Sequence, residues 1–202
     1  MVVGNLTAIA QTSVKRLLAY SAIAHGGYML LGLVANNTSS RTALLFYVIT
    51  YAVTTLGAFG VTSVVEGATG SDSIASFAGL SRRAPLLSLC MLVFLLSLGG
   101  IPPLAGFLGK FLIFSAAVDA EPAHLGLLWL VILAIAMSAV SFYYYLGVLK
   151  SAYVADVGEG AGDIKVSWAT QLAIAVLALL VILLGCWPSL LVKPLSLALG
   201  GA

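Results

Sequence analysis

The residue that says most about possible chemistry is Lys110, which lies within a long apolar run. Lys110 is the only charged residue between Arg83 and Asp119. An ammonium at the bilayer centre costs about 2.5–3.5 kcal/mol on insertion scales, and burial favours the neutral amine. A lysine in that setting can bind and release a proton. The alternative to a buried lysine that exchanges protons is snorkelling, in which the side chain extends toward the membrane interface. The apolar run ends at Val118, and the lysine stem can cover part of that distance.

Two glycines and two prolines precede this lysine: Gly99, Gly100, Pro102 and Pro103. The glycines loosen a helix, and each proline removes an amide donor. Pro103 also disfavours helical geometry at Pro102. Irregular backbone at membrane depth is tolerated only inside protein or beside water, and discontinuous helices mark ion and substrate sites. The sequence therefore predicts a helix break at 99–103, close to Lys110.

A histidine, His25, lies in the middle of another apolar run, beside Gly26 and Gly27. Imidazole titrates close to neutral pH, which suits a proton relay. The alternative is a neutral histidine bonded to a backbone carbonyl inside the helix bundle. Neighbouring hydroxyl side chains either continue a polar file or only join helices; they are Tyr20, Ser21, Tyr28, Tyr51, Thr54 and Thr55. An aromatic belt at the membrane interface explains three further tyrosines as well as a place in the polar file does: Tyr143, Tyr144 and Tyr145.

Composition decides which solvent surrounds these residues. Hydrophobic residues make up 61% of the 202 positions and charged residues 8%, and the mean hydropathy is +1.13. So few charged side chains cannot cover a soluble globule, so lipid is the solvent that accepts this chain. We therefore expect the lipid bilayer as a partner.

Apolar runs long enough to span a bilayer predict an all-α, polytopic transmembrane helix bundle with one discontinuous helix, forming a single domain over 1–202. Residues 1–10 are too short to cross and predict the tail of a helix whose start is missing, so we expect the C-terminal part of a longer protein. The predicted spans are 17–35, 42–65, 85–118 with its break, 125–149 and 168–192.

The basic residues distribute unevenly between alternate loops. If each run crosses once, one side holds Lys15, Arg16, Arg82, Arg83, Lys150 and Lys165, and the other holds Arg41 and Lys193. A second crossing within 85–118 would weaken this bias, so we expect that run to cross once. The positive-inside rule then predicts that the richer side is cytoplasmic and that the C-terminus is outside. Lys15 and Arg16 are expected to be interfacial anchors.

Other classes of chemistry find no support in the sequence. The net charge of +2 is too small and scattered for a nucleic-acid surface, so we expect no nucleic-acid partner. The two cysteines, Cys90 and Cys186, lie in apolar runs and form no metal or disulfide pattern. No nucleotide-binding or metal motif is present, so we expect no catalytic, cofactor or metal site in this chain.

Two motifs carry a resemblance to a known family. The stretch GNLTAIAQTSVKRLLAYS at 4–21, with IAHGGY at 23–28, resembles the antiporter-like subunits of respiratory complex I, the NADH–quinone oxidoreductase. GIPPLAGFLGKF at 100–111 is similar to the same family. The resemblance covers nearly the whole chain. Its members also include subunits of cation/proton antiporters and membrane hydrogenases.

The resemblance implies a fourteen-helix subunit with two inverted five-helix repeats, of which this chain matches the second repeat and the final helix. It implies that Lys110 belongs to a central chain of ionisable groups, with His25 on the same polar axis. One related subunit of the family often has an acidic residue at the position of Lys110. The lysine in this chain therefore argues against that member of the family. The membrane glutamate and two further lysines of the family's first repeat are not in this chain.

The resemblance also implies the partners and the activity. Other membrane-arm subunits would be neighbours, and NADH, FMN, iron–sulfur clusters and quinone would be bound in partner subunits. The chain would take part in NADH:quinone oxidoreductase activity as a proton-translocating subunit, with no redox chemistry of its own. A subunit of a cation/proton antiporter or of a membrane hydrogenase is the alternative, and a passive assembly scaffold is a third hypothesis.

Overall fold

The computed structural model describes residues 1–120, 126–157 and 162–200. These residues form an all-α bundle with one isolated bridge between Ser13 and Ser73. The helices are α1 (Val2–Ile9), α2 (Val14–Ala35), α3 (Thr38–Thr69), α4 (Leu80–Arg83), α5 (Pro85–Gly99), α6 (Ala105–Asp119), α7 (Leu128–Tyr153), α8 (Trp168–Cys186) and α9 (Ser189–Ala198), with a 3-10 turn at Ile74–Phe77. The first residue of the predicted span 125–149 and part of the segment between that span and the next lie outside the described residues.

Polar caps set the ends of the first long helices. The Ser13 hydroxyl accepts a hydrogen bond from the Arg16 amide and starts α2. Asn36, in the left-handed conformation, ends α2, and the Asn37–Ser40 capping box starts α3 at once. These caps give a tight turn between two antiparallel helices.

Helix α3 is longer than its apolar run. The predicted span 42–65 stops before Glu66, but the helix continues to Thr69 and ends at Gly70, which has a φ of 72°. One charged residue does not end a helix, whereas a glycine can adopt the left-handed conformation that closes it. The result is a 32-residue helix that contacts most of the bundle.

Helices α5 and α6 lie end to end along α3. Gly57 of α3 packs on the ring of Phe94, Tyr47 packs on Gly109, and the Asn37 side chain donates to the Ala116 carbonyl at 3.2 Å. Residue numbers thus fall along α3 as they rise through α5 and α6. The two short helices therefore run in one direction and form a single discontinuous helix.

The last apolar run is also interrupted. Helix α8 ends at Cys186, and α9 begins at Ser189, although the sequence predicts one span over 168–192. Pro188 supplies no amide and disfavours helical geometry at Trp187, where φ is −126° and ψ is 67°. Helix α9 packs against the start of α3.

Loops at one end of the bundle bond to one another, and we call this the basic end. The Val14 amide donates to the Asp72 carbonyl, and the Gly79 amide donates to the Ser151 carbonyl at 3.2 Å. The Arg83 side chain donates to the Gly162 carbonyl. The helix ends and the loop that carry the basic residues meet here, whereas α9 lies at the opposite end; these residues are Lys15, Arg16, Arg82, Arg83, Lys150 and Lys165.

The hydrophobic surface fits a multi-pass membrane protein. Four described helices, α2, α3, α7 and α8, are long and apolar enough to cross a bilayer. Helix α8 turns Leu172, Val176 and Leu179 outward, which lipid solvates at no cost. The chain is thus a polytopic membrane bundle with a discontinuous helix, as the sequence predicts.

Candidate functional site at the helix break

The break leaves backbone carbonyls without helical donors. Helix α5 ends at Gly99, and Gly100 takes a φ of 86°. The Gly100 and Ile101 amides turn back to the Leu96 carbonyl, both at 3.0 Å. The donors that a continuing helix would offer to the carbonyls of Leu98 and Gly99 belong to Pro102 and Pro103, which have no N–H. The two prolines therefore open two acceptor positions inside the bundle.

The start of α6 is held by a serine from α5. Leu104 precedes α6 and gives no side-chain cap, but the Gly106 amide donates to the Ser97 hydroxyl at 3.0 Å. Gly106 also lies so close to the Ser97 carbonyl that a Cβ would overlap it. The two half-helices thus approach each other through a glycine and a hydroxyl, which fixes the geometry of the break.

Lys110 lies one turn into α6 and is only 4% exposed. Its Nζ donates to the Leu98 carbonyl at 2.8 Å and to the Ser138 hydroxyl on α7 at 2.7 Å. It also lies 5.2 Å from the centre of the Tyr28 ring, within the range of a cation–π contact. The side chain therefore turns toward the break and not toward the end of α6, which is where snorkelling would take it.

A cavity of about 380 Å³ reaches this lysine between α5, α6 and α7. Its lining includes Lys110, Ser138 and the break residues Gly99 and Gly100, together with apolar side chains. The amine therefore bonds two fixed acceptors and borders an open space, lined mostly by apolar side chains, beside the break.

His25 on α2 forms a second buried polar group. Its Nδ1 lies 2.7 Å from the Tyr47 hydroxyl on α3, and its Nε2 lies 3.4 Å from the Tyr145 hydroxyl on α7. The Tyr145 hydroxyl also bonds the Ser21 hydroxyl. The imidazole thus bonds phenol groups and not the backbone carbonyl that the alternative interpretation requires.

Tyr28 lies between the lysine and the histidine. Its ring contacts the His25 ring edge to face, with centroids 5.5 Å apart, and its face lies under Lys110. The Asn5 side chain donates to the Tyr28 hydroxyl and accepts from the Tyr144 hydroxyl. The structure thus brings Lys110 and His25 into one buried cluster around an aromatic ring.

The remaining predicted residues lie elsewhere. Lys15 pairs with Glu66 at the basic end, and Arg16 is exposed there. Pro102 and Pro103 lie at the surface of the break, whereas Gly99 is buried. The hydroxyl of Thr54 donates to a backbone carbonyl one turn back in α3 and offers no donor to the cluster. The residues 1–120, 126–157 and 162–200 contain no group of three metal-ligating side chains.

Sequence reasoning missed Asn5, Tyr47 and Ser138. Ser138 lies in an apolar run where a lone serine is ordinary, and Asn5 lies in a short segment that the sequence assigns to the tail of a helix and to the family motif, with no polar role. The sequence signal for such residues is a polar side chain inside an apolar run. That signal does not identify the hydrogen-bond partner, because the partner is on another helix. Only the packing shows that these three side chains bond the cluster.

This arrangement of side chains suits proton transfer more than the making and breaking of covalent bonds in a substrate. The amine of Lys110, the imidazole of His25 and the surrounding hydroxyls are groups that bind and release protons. They are buried, bonded to one another through aromatic contacts or hydrogen bonds, and close to a break that leaves backbone acceptors open.

The chain matches known proteins over nearly all its length. It is 56% identical over 193 residues to "NADH-quinone oxidoreductase subunit N 2" of Acidobacterium capsulatum, covering 96% of this chain and 39% of that relative. It aligns with a chain of respiratory complex I from Thermus thermophilus with a TM-score of 0.81 and 41% identity, over 96% of this chain and 43% of that one.

A more distant structure shares the fold alone. The Mrp complex from Dietzia sp. DQ12-45-1b aligns with a TM-score of 0.85 at 19% identity, over 98% of this chain and 44% of that chain. The chain spans about two fifths of the length of the proteins it matches.

The motif at 11–21 and the lysine after the break resemble subunit N in particular, and the name of the Acidobacterium relative confirms that resemblance. Residues 1–145 match the family described as "NADH:quinone oxidoreductase/Mrp antiporter, TM". The chain therefore belongs to the NADH:quinone oxidoreductase/Mrp antiporter transmembrane family.

Proposed function

We propose that this chain is part of a proton-translocating membrane-arm subunit of an NADH–quinone oxidoreductase. The single observation that carries the proposal is the buried Lys110, whose Nζ bonds the carbonyl that Pro102 leaves open. A buried amine with a fixed acceptor and an adjacent cavity has the parts needed to load and release a proton. The similarity to subunit N of Acidobacterium capsulatum supports the same assignment.

In this proposal, Lys110 alternates between ammonium and amine. As an ammonium it donates to the Leu98 carbonyl and the Ser138 hydroxyl and faces the Tyr28 ring. As an amine it loses the charge that makes those contacts strong. The proton released by Lys110 leaves through the space beside the break, and His25 is a second group that binds and releases protons on the other side of Tyr28.

The energy for this cycle comes from other subunits. NADH, FMN, iron–sulfur clusters and quinone are bound there, and electron transfer changes the charge felt along the membrane arm. Other membrane-arm subunits are the direct partners of this chain. Its own part in the NADH:quinone oxidoreductase reaction is to move protons, not electrons.

The proposed location is a bacterial inner membrane, with the basic end in the cytoplasm and the C-terminus outside. The meeting of six basic residues at one end of the bundle supports this orientation. Membrane-impermeant thiol labelling tests it in a Cys186→Ser background. Lys165→Cys should react only after cells are opened, whereas Lys193→Cys should react in intact spheroplasts. The reverse pattern would invert the topology.

The central test is Lys110→Ala in the complete subunit within the assembled complex, reconstituted into liposomes. Protons pumped per NADH oxidised should fall, while NADH-to-quinone electron transfer continues. Lys150→Ala, which removes an exposed lysine at the basic end, is the matched control and should pump normally. Unchanged pumping in Lys110→Ala would remove the lysine from the mechanism and favour a scaffold.

The same preparation distinguishes the antiporter alternative. An NADH-driven subunit moves protons only when electrons flow. A sodium gradient that shifts internal pH without NADH, and loses that effect in Lys110→Ala, would instead support a cation/proton antiporter subunit.

A further inference from the structure

The ring of Tyr28 on α2 is fully buried and is held by side chains from several directions. The Asn5 side chain donates to its hydroxyl at 3.2 Å. The rings of His25 and Phe114 stand nearly perpendicular to it, with centroids 5.5 Å and 6.2 Å from its own. These contacts fix the orientation in which the ring lies under Lys110, whose Nζ is 5.2 Å from the ring centre.

The other partners of the Lys110 ammonium are neutral. Its Nζ donates to the Leu98 carbonyl and to the Ser138 hydroxyl. The two ion pairs found among the described residues lie at the basic end, away from the lysine. The chain has no acidic residue between Asp72 and Asp119. In the described part of the chain, the negative charge density nearest to this ammonium in kind is therefore the face of an aromatic ring.

A ring face stabilises a cation differently from a carboxylate. A carboxylate can accept the proton of its lysine partner, whereas a ring face attracts the ammonium but offers no site for the proton. The attraction is also modest, since a cation–π contact shifts the ratio of ammonium to amine by about 2- to 30-fold. A lysine held in this way can carry a charge in an apolar site and still release its proton to another group.

We propose that Tyr28 is a positioning residue for Lys110, whose ring face stabilises the ammonium over the amine without competing for the proton. The Tyr28 hydroxyl serves only to hold the ring, through its bond to Asn5. This inference rests on the proposed proton-translocating function and names the group that supports the charged state of its lysine. Since the attraction depends on the electron density of the ring and not on the hydroxyl, the two can be tested separately.

The test measures protons pumped per NADH oxidised by the complete complex in liposomes. Tyr28→Phe keeps the ring, and Asn5 keeps its bonds to the Met1 carbonyl and the Tyr144 hydroxyl, so pumping should stay close to that of the unsubstituted complex. Phenylalanines with one, three and five ring fluorines, introduced at position 28 by a suppressor tRNA, withdraw electron density from the face at nearly constant shape. Pumping should fall stepwise along this series toward the value of Lys110→Ala.

The controls separate electron density from packing. The same fluorinated residues at Phe94, a buried ring of α5 that packs on Gly57, should leave pumping unchanged. With Lys110→Ala in the same chain, fluorination at position 28 should cause no further fall, because the interaction that it weakens is already gone. NADH-to-quinone electron transfer should be retained throughout, which shows that each complex assembles.

The inference would be overturned by poor pumping in Tyr28→Phe, by a flat fluorine series or by an equal fall at Phe94. A further fall in the Lys110→Ala background would also overturn it, because the ring would then act through His25. Failure of the proposed function has a different signature: Lys110→Ala would pump normally. Reduced pumping in Lys110→Ala together with a flat fluorine series would remove only the part assigned to Tyr28.

Discussion

Lys110 on α6 donates a 2.8 Å hydrogen bond to the carbonyl of Leu98, the residue before the last of α5. In an unbroken helix the amide at position 102 would take that carbonyl, but Pro102 has no N–H. The proline thus creates the acceptor that the lysine uses. A proline between α5 and α6 and a lysine of α6 therefore act together at the break.

Pro102→Ala tests this relationship. The new amide competes with Lys110 for the Leu98 carbonyl, so the lysine loses one of its two hydrogen-bond acceptors. We expect an assembled complex that oxidises NADH but pumps fewer protons per NADH in liposomes. Pro194→Ala, at an exposed proline within α9, is the control and should pump normally. Equal pumping by both variants would contradict a part for the open carbonyl.

Ser138→Ala removes the other acceptor of Lys110. Hydrogen bonds to charged groups are worth about 1.5–3 kcal/mol, so the ammonium form should be disfavoured and pumping should fall. Ser141→Ala is a matched control one turn along α7, because that hydroxyl donates to the Ser138 carbonyl and not to the lysine. Ser138→Thr keeps the hydroxyl and should restore pumping; failure of this rescue would indicate a packing effect.

Tyr47→Phe removes the closer hydroxyl partner of His25 while keeping the ring. Loss of a buried hydrogen bond leaves the imidazole Nδ1 unpaired, at a cost of about 1–3 kcal/mol. We expect reduced protons per NADH with retained electron transfer. Tyr51→Phe is the control, because Tyr51 stacks on His25 with centroids 4.7 Å apart and keeps that contact without its hydroxyl. A larger effect in Tyr51→Phe would reassign the histidine's partner.

Gly185→Ala tests how α8 supports the break. A Cβ at Gly185 would overlap the Pro103 carbonyl and approach the Ala105 amide at 2.6 Å, so α8 must move away from the break. Overpacking of this kind costs about 1–3 kcal/mol. The detergent-solubilised complex should lose this subunit at a lower temperature, read by native gels after stepwise heating. Gly147→Ala, with open space around its Cβ, should behave as the parent does.

The membrane spans, the helix break and the two unusual polar residues can be predicted from the sequence alone. Apolar runs separated by caps and turns predict the spans, because each residue contributes its own transfer free energy to lipid regardless of its partners. The break follows from Gly100, Pro102 and Pro103, since these residues act on their own backbone. Lys110 and His25 stand out because a polar group is rare where the surroundings are apolar.

Tertiary structure alone decided which groups meet. Helices in lipid are apolar on all sides, so no hydrophobic periodicity indicates which face of α7 carries Ser138 to Lys110, or that Asn5 reaches Tyr28 and Tyr144. The same holds for the packing of α8 on the break through Gly185, which depends on close backbone approach. Transfer cost is a property of one residue and can be read from the chain, but hydrogen-bond partners are a property of pairs that only packing brings together.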